Sequence, residues 1–259
     1  MKITAVLLGL FCLFLGGCED LKRLKTIKNL GMLYCTFDYR VYPYDSSKRV
    51  SNPTPMFTQE TKTQLPPADI RVFHDRFTKK LTQMIQTDFG LQVVTPESFW
   101  RYPSYQNLMF KYVKGEYTPY KPLLLQSQSR ENIRQLCKDI KVDAVFGIKV
   151  YFLIEKTGKP YWEKEKDPFS KTTVSRYWRD FLDKENPTRL WMKGDVSLLY
   201  KDGKEGINRS FMATADGRDI RVAYTDVFDF DMRKSVLHER VSEALLEKIK
   251  GFVLTQMVE

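Results

Sequence analysis

The sequence predicts an α/β (or α+β) domain: one mixed sheet with helices packed on it, in the order strand, helix, strand, helix, strand, hairpin, helix. Two observations carry this reading. Short apolar runs of strand length alternate with stretches whose apolar residues recur in steps of three and four. An Asp-Gly pair, Asp202-Gly203, separates the last two strand-like runs. Alternation of this kind implies crossover connections and helices lying on the faces of the sheet. Composition agrees, since 42% apolar and 29% charged residues over 259 positions are too polar for a polytopic membrane protein and too apolar for a disordered chain. No repeat of fixed period and no low-complexity tract is visible.

The first strand is expected at Leu30, where the sequence reads LGMLYCTFDYRV. Residues 42–67 hold five prolines among Ser, Thr and Asn, and read as a long loop. Ala68 to Phe89 places Ile70, Phe73, Phe77, Leu81, Met84 and Ile85 on one stripe of an amphipathic helix, with Gly90 as its C′ residue. Leu91 to Thr95 is a short strand closed by Pro96. Residues 99–125 form an aromatic and basic insertion that Pro103, Pro119 and Pro122 keep from being a continuous helix or a central strand. A second helix buries Ile133, Leu136, Cys137 and Ile140. The strand from Asp143 to Ile154 is apolar almost throughout, as an interior strand covered on both faces should be. A third insertion, 156–187, precedes the hairpin of residues 190–200 and 207–215. The last helix spans Phe230 to Val253, with Asp229 or Asp231 as its cap.

Residues 1–18 carry a separate signal. Lys2 precedes thirteen apolar positions, Ile3 to Leu15, too few for a spanning helix, which needs about 20. Leu15-Gly16-Gly17-Cys18 then follows directly, and this order resembles the lipobox of bacterial lipoproteins. That resemblance implies a signal peptide over residues 1–17, with Cys12 discarded inside it, and a diacylated Cys18 as the mature N-terminus. Residues 18–29 are then a lipidated tether, basic through Lys22, Arg23, Lys25 and Lys28, and residues 30–259 a single periplasmic domain. Acyl chains at about 0.8 kcal/mol per buried CH₂ would make such anchoring permanent. Glu19 follows the cysteine where enteric inner-membrane lipoproteins carry Asp, so the expected location is the outer membrane, facing the periplasm, with the inner membrane and the cell surface as the alternatives. Export makes nucleic acid an improbable partner despite the net charge of +10.

The mature domain is similar to a group of envelope lipoproteins that includes the curli secretion channel lipoprotein, the lipoprotein activator of penicillin-binding proteins, and the N-terminal domain of the translocation protein TolB. Three segments carry the similarity: Gly31 to Asp38, Phe77 to Val94, and Ile133 to Gly147 with its Asp143-Ala144-Val145-Phe146-Gly147. Together they cover about a third of the mature chain, and their motifs are structural. The resemblance implies a non-enzymatic domain that binds another envelope protein or oligomerises, and it transfers no functional residue.

Catalytic patterns are weak. The sequence has no G-x-S-x-G, H-E-x-x-H or P-loop. His74-Asp75 and His238-Glu239 are adjacent on helices, about 100° apart, so neither is expected to be a preassembled acid–base pair. Both histidines read as solvated or interface residues. Cys35 and Cys137 fall at expected core positions and read as buried free thiols. No cofactor and no metal site are expected. The stretch best suited to binding is 99–125, because tyrosine and tryptophan give large contact area at small entropic cost. Trp100, Tyr102, Tyr105, Tyr112 and Tyr117 are the expected partner-facing residues, in a non-enzymatic binding or assembly factor. The alternative role is a subunit of an oligomeric secretion or transport assembly.

Overall fold

Strand β1 (Asn29–Tyr44) is the longest of the sheet and organises the rest. The computed structural model describes residues 23–44, 68–111, 113, 115–121, 123, 125–156, 164–166, 173–175, 188–214 and 236–258. Cys18, Tyr112, Asp229, Asp231 and much of the 42–67 and 156–187 stretches lie outside the described residues. After β1 come α1 (Ala68–Asp88), β2 (Gln92–Val94), the single turns α2 (Pro96–Phe99) and α3 (Pro103–Gln106), and β3 (Glu116–Tyr117). Then follow α4 (Arg130–Ile140), β4 (Ala144–Lys156), a small ribbon of β5 (Lys164–Lys166) and β6 (Thr173–Ser175), β7 (Thr188–Tyr200), β8 (Glu205–Thr214) and α5 (Val236–Val258). The fold is mixed α/β, with every element of the expected order present. The short elements within 99–125 and 156–187 add to that order without changing it.

The main sheet runs β2-β1-β4-β7-β8, with β3 also on the β2 side of β1. Strands β2 and β4 both pair parallel to β1, on opposite edges of it, while β7 and β8 are antiparallel additions. The chain therefore steps outward from β1 to β2 and back across β1 to β4. Right-handed crossovers in opposite directions put their helices on opposite faces, so α1 and α4 lie on different sides. Helix α5 returns to the α1 side. Ion pairs Arg76–Glu239 (2.7 Å), Lys80–Glu243 (2.7 Å) and Asp88–Lys250 (3.0 Å) occur in the same order along both chains, so the two helices are parallel neighbours.

Two hydrophobic cores result. The first, under α1 and α5, joins Phe37, Phe73, Phe77, Leu81, Ile148, Phe152, Val241 and Leu245, with Phe37 edge-on to both Phe73 and Phe77 at 5.2 Å. The second, under α4, joins Leu33, Tyr34, Phe99, Tyr105, Leu125, Ile133, Leu136 and Val145. A register shift between Met32 and Tyr34 inserts Leu33 as an extra residue. Leu33 and Tyr34 thus both serve the second core, while Leu30, Met32, Cys35 and Phe37 all serve the first. Gly147 sits opposite Tyr34, whose ring lies over it so closely that a Cβ there would fall 2.1 Å from Cε1. Gly90 has φ +68° and ends α1 as expected.

The expectation of β4 covered on both faces holds for half its length. Val145 packs under α4, but Lys149 and Tyr151 on that same face reach a polar hollow. Cys35 and Cys137 are free and buried in different cores, as expected of small hydrophobes, and burial pushes both thiols up to about 12. Both histidines are buried, which corrects the solvated reading. His238 packs edge-on to Phe73 and Phe152.

The segment expected as a free tether is fastened to the domain from Arg23 onward, a second correction. Leu24 and Ile27 are in the first core. Arg23 pairs with Asp202 at 2.7 Å and covers the Tyr200 ring at 4.2 Å. The Asp143 carboxylate accepts the Lys28 and Asn29 backbone N–H groups at 3.0 and 3.2 Å, and Lys201 Nζ lies 3.3 Å away. Burial opposes ionisation of Asp143, but these donors outweigh it and hold its carboxyl below the usual range. The starts of β1, β2, β4 and β8 and the ends of α1 and β7 thus gather at one pole, where the described chain begins. The ends Tyr44, Lys156 and Thr214 lie at the other.

Candidate functional site

Residues 95–127 fold over the second face and part into an inward and an outward set. Pro96 and Pro103 begin the turns α2 and α3, where a missing N–H costs nothing. The turns send Phe99 and Tyr105 inward, edge-on to each other at 5.3 Å, where Leu108, Leu123 and Leu125 join them. Tyr105 is 1% exposed and Tyr117, on the β3 strand paired to Phe37, is 9% exposed. Both are core residues, which corrects their expected place on a partner-facing surface.

Trp100 and Tyr102 do point outward, each 43% exposed, and Met109 and Phe110 join them at 61%. Arg101 lies over the Trp100 ring at 4.8 Å and Lys121 over the Phe110 ring at 5.4 Å. This strip is held in place by hydrogen bonds. The Gln128 side chain takes the Met109 N–H at 2.8 Å and donates to the Met109 carbonyl at 2.5 Å, Lys121 Nζ donates to the Gln106 carbonyl at 2.6 Å, and Gln106 donates to the Trp100 carbonyl. Sequence reasoning left Met109 and Phe110 out of the site. Their signal was present in Leu108-Met109-Phe110: three apolar residues in a row on a short irregular loop cannot all face inward.

Beside the strip, a cleft of about 570 Å³ runs between α1 and the segments at Pro96 and Pro119. His74, Asp75, Thr78, Lys79, Glu97 and Tyr120 line it. His74 Nε2 donates to the Cys35 carbonyl at 3.0 Å, and Nδ1 meets Asp75 Oδ1 at 3.0 Å. The two adjacent side chains therefore do assemble, against expectation, because the Asp75 carboxylate swings back toward the buried ring. The pair leaves neither ring nitrogen open to a bound molecule. Burial disfavours the Glu97 anion, but the Thr95 and Tyr120 hydroxyls donate to it and hold its carboxyl below the usual range.

On the second face, beyond α4, a hollow of about 360 Å³ has a charged floor. Lys149 pairs with Glu116, and Asp195 takes Lys193 at 3.1 Å and the Ser210 hydroxyl at 2.5 Å. Burial pushes the Tyr34 hydroxyl up to about 12, against the Leu125 and Ser197 bonds that lower it. Two ion pairs thus cross the floor, and the cations Lys111 and Arg209 line the hollow as well. Among the described residues, no group of three metal-ligating side chains occurs, and no helix is long and apolar enough to cross a membrane.

No family model matches the chain, and no curated protein matches it. The reading of function rests on the geometry and on the sequence.

Proposed function

We propose that this chain is an envelope lipoprotein, anchored to the outer membrane through Cys18, whose α/β domain binds another envelope protein and catalyses no reaction. The observation that carries the binding role is the strip of Trp100, Tyr102, Met109 and Phe110. Four large apolar side chains stand exposed along eleven residues, on a backbone tied down by Gln106, Gln128 and Lys121. A rigid aromatic strip flanked by Arg101 and Lys121 suits a partner that offers an apolar pocket with an acidic rim. The anchor reading is supported by the Leu15-Gly16-Gly17-Cys18 order behind a signal-sized apolar run. The absence of catalysis is supported by His74, whose two ring nitrogens are both engaged internally.

The test is crosslinking of the full chain in native envelopes before detergent, comparing wild type with a Trp100→Ala/Phe110→Ala double variant. One heterologous crosslinked band, lost in the variant, is the expected result. A band of two copies of this chain would move the reading to the oligomeric assembly, and a heterologous band indifferent to the variant would remove the strip from the site.

A further inference from the structure

The pole at which the described chain begins combines two properties: it is the point of attachment of residues 1–22, and its outward charge is positive. Three segments meet there. Residues 25–28 contribute exposed Lys25 and Lys28, the end of α4 contributes Lys138 and Lys141, and the β7–β8 loop contributes Lys201 and Lys204. The hydrogen bonds of Asp143 to Lys28, Asn29 and Lys201, and those of Asp202 to Arg23 and Arg134, join these segments into one surface. Asp143 and Asp202, its central carboxylates, are half-buried and spent on those contacts, and Asp139 takes the Gln135 amide at 2.8 Å. Glu205, beside Lys204, and Glu131, 3.6 Å from Arg134, are exposed acids of this surface. No ion pair joins Lys25, Lys28 or Lys141 to a described carboxylate. The last turns of α5 reach the same pole, where Val253 and Met257 line an apolar crevice with Leu24 and Ile27.

We propose that this pole lies flat against anionic lipid headgroups, with Lys25, Lys28, Lys141 and Lys204 as its contacting cations. The proposal rests on the reading of Cys18 as the acylated residue. Five chain steps, through four residues, lead from Cys18 to Arg23, the first described residue and one that is fastened to the body. Fully extended, they span at most about 18 Å. A chain so short holds the pole close to the bilayer and leaves the domain little freedom to turn over. The positive surface potential then acts within about one Debye length, roughly 8 Å, where a negatively charged leaflet attracts lysines that form no ion pair among the described residues. The opposite pole, with the first turn of α1, stands about 30 Å higher, the length of that helix.

The experiment uses the full chain purified from membranes with a single added thiol, Lys204→Cys at the basic pole or Arg71→Cys at the opposite one. Buried Cys35 and Cys137 stay unlabelled. Each variant carries a fluorescent donor and enters vesicles of phosphatidylcholine, with or without phosphatidylglycerol, that bear a headgroup acceptor. The expected result is several-fold greater energy transfer from position 204 than from 71, widened by phosphatidylglycerol. That lipid dependence should disappear in a Lys25→Glu/Lys28→Glu/Lys141→Glu background. Equal transfer from the two positions, or a lipid response that survives the triple change, overturns the orientation. Mass analysis of the N-terminal peptide separates the two readings. An acylated Cys18 with equal transfer sinks the orientation alone, whereas an unmodified Cys18 sinks the anchor and the orientation with it.

Discussion

The two faces of the sheet are built from the same strands, yet they solve different problems. On the first face α1 and α5 lie side by side and cover a continuous apolar layer from Leu24 to Ala213. On the second, α4 covers only the end nearest the N-terminal pole, and the rest is closed by the irregular segment 95–127 or left as a charged hollow. Alternation along β4 displays the contrast in a single strand. Ala144, Phe146, Ile148, Val150 and Phe152 enter the first core, while the residues between them pass from Val145 through Gly147 to Lys149 and Tyr151. The larger apolar layer lies on one face, and the other carries the exposed strip to which a binding role is assigned by the proposal above.

The sharpest way to break this contrast is to remove a ring from the first core. Phe77 is buried against Phe37 and Phe73 at the centre of the α1 contact. Phe77→Ala should cost about 3–5 kcal/mol in chemical denaturation, with loss of cooperative unfolding across the whole domain. In the second core Leu136→Ala should cost less, about 2–3 kcal/mol, because loops close much of that cluster and can collapse on the space. Its signature should be local. Hydrogen exchange in residues 96–111 should rise well before exchange in β4, and an equal rise in both would mean that the two cores are one cooperative unit.

How far these layers were legible in the sequence depends on whether a segment has a period. Helix α1 repeats the stripe Ile70, Phe73, Phe77, Leu81, Met84 and Ile85, and every one of these is buried, while Val72, off the stripe, is exposed. The order of elements along the chain followed from the alternation of strand-like and helical runs, and the hairpin from Asp202-Gly203, whereas the order of strands in the sheet did not. What the sequence withheld lies where period fails. The extra residue Leu33 shifts the facing of β1, and no composition signal marks it. In residues 99–125 the prolines remove any regular phase, so nothing distinguished Tyr105, which is buried, from Tyr102, which is not. A tyrosine suits either place, since its ring is apolar and its hydroxyl is wet. The fastening of residues 23–28 was hidden for a different reason: its key acceptor, Asp143, is more than a hundred residues away.

That fastening gives a prediction of intermediate size at the margin between the faces. Asp143→Ala removes the carboxylate that ties the Lys28 and Asn29 backbones to the β4 side of the pole, and should cost about 1–3 kcal/mol. The pH dependence follows from the lowered carboxyl. A group held below its ordinary pKa stabilises the fold fully above that ordinary value, near pH 4, and the stabilisation is lost as pH falls through the lower folded value. Wild type and variant should therefore differ most between about pH 5 and 7 and converge as the pH is lowered toward about 2. A gap that stays constant across that range would show that the carboxylate's charge contributes nothing.

The smallest expected effect on stability belongs to the change that bears most directly on the proposed function. Trp100 and Phe110 stand out from the second core instead of filling it, and their backbones are held by Gln106 and by Gln128 on Met109, independently of either ring. Truncating both should leave the unfolding free energy within about 0.5 kcal/mol of wild type, apart from what the Arg101 and Lys121 contacts add. Two large exposed rings that return so little in stability are what the proposed binding role requires. If the double variant is instead destabilised as much as Leu136→Ala, the rings are supports of the second core, and the strip loses its standing as a recognition surface.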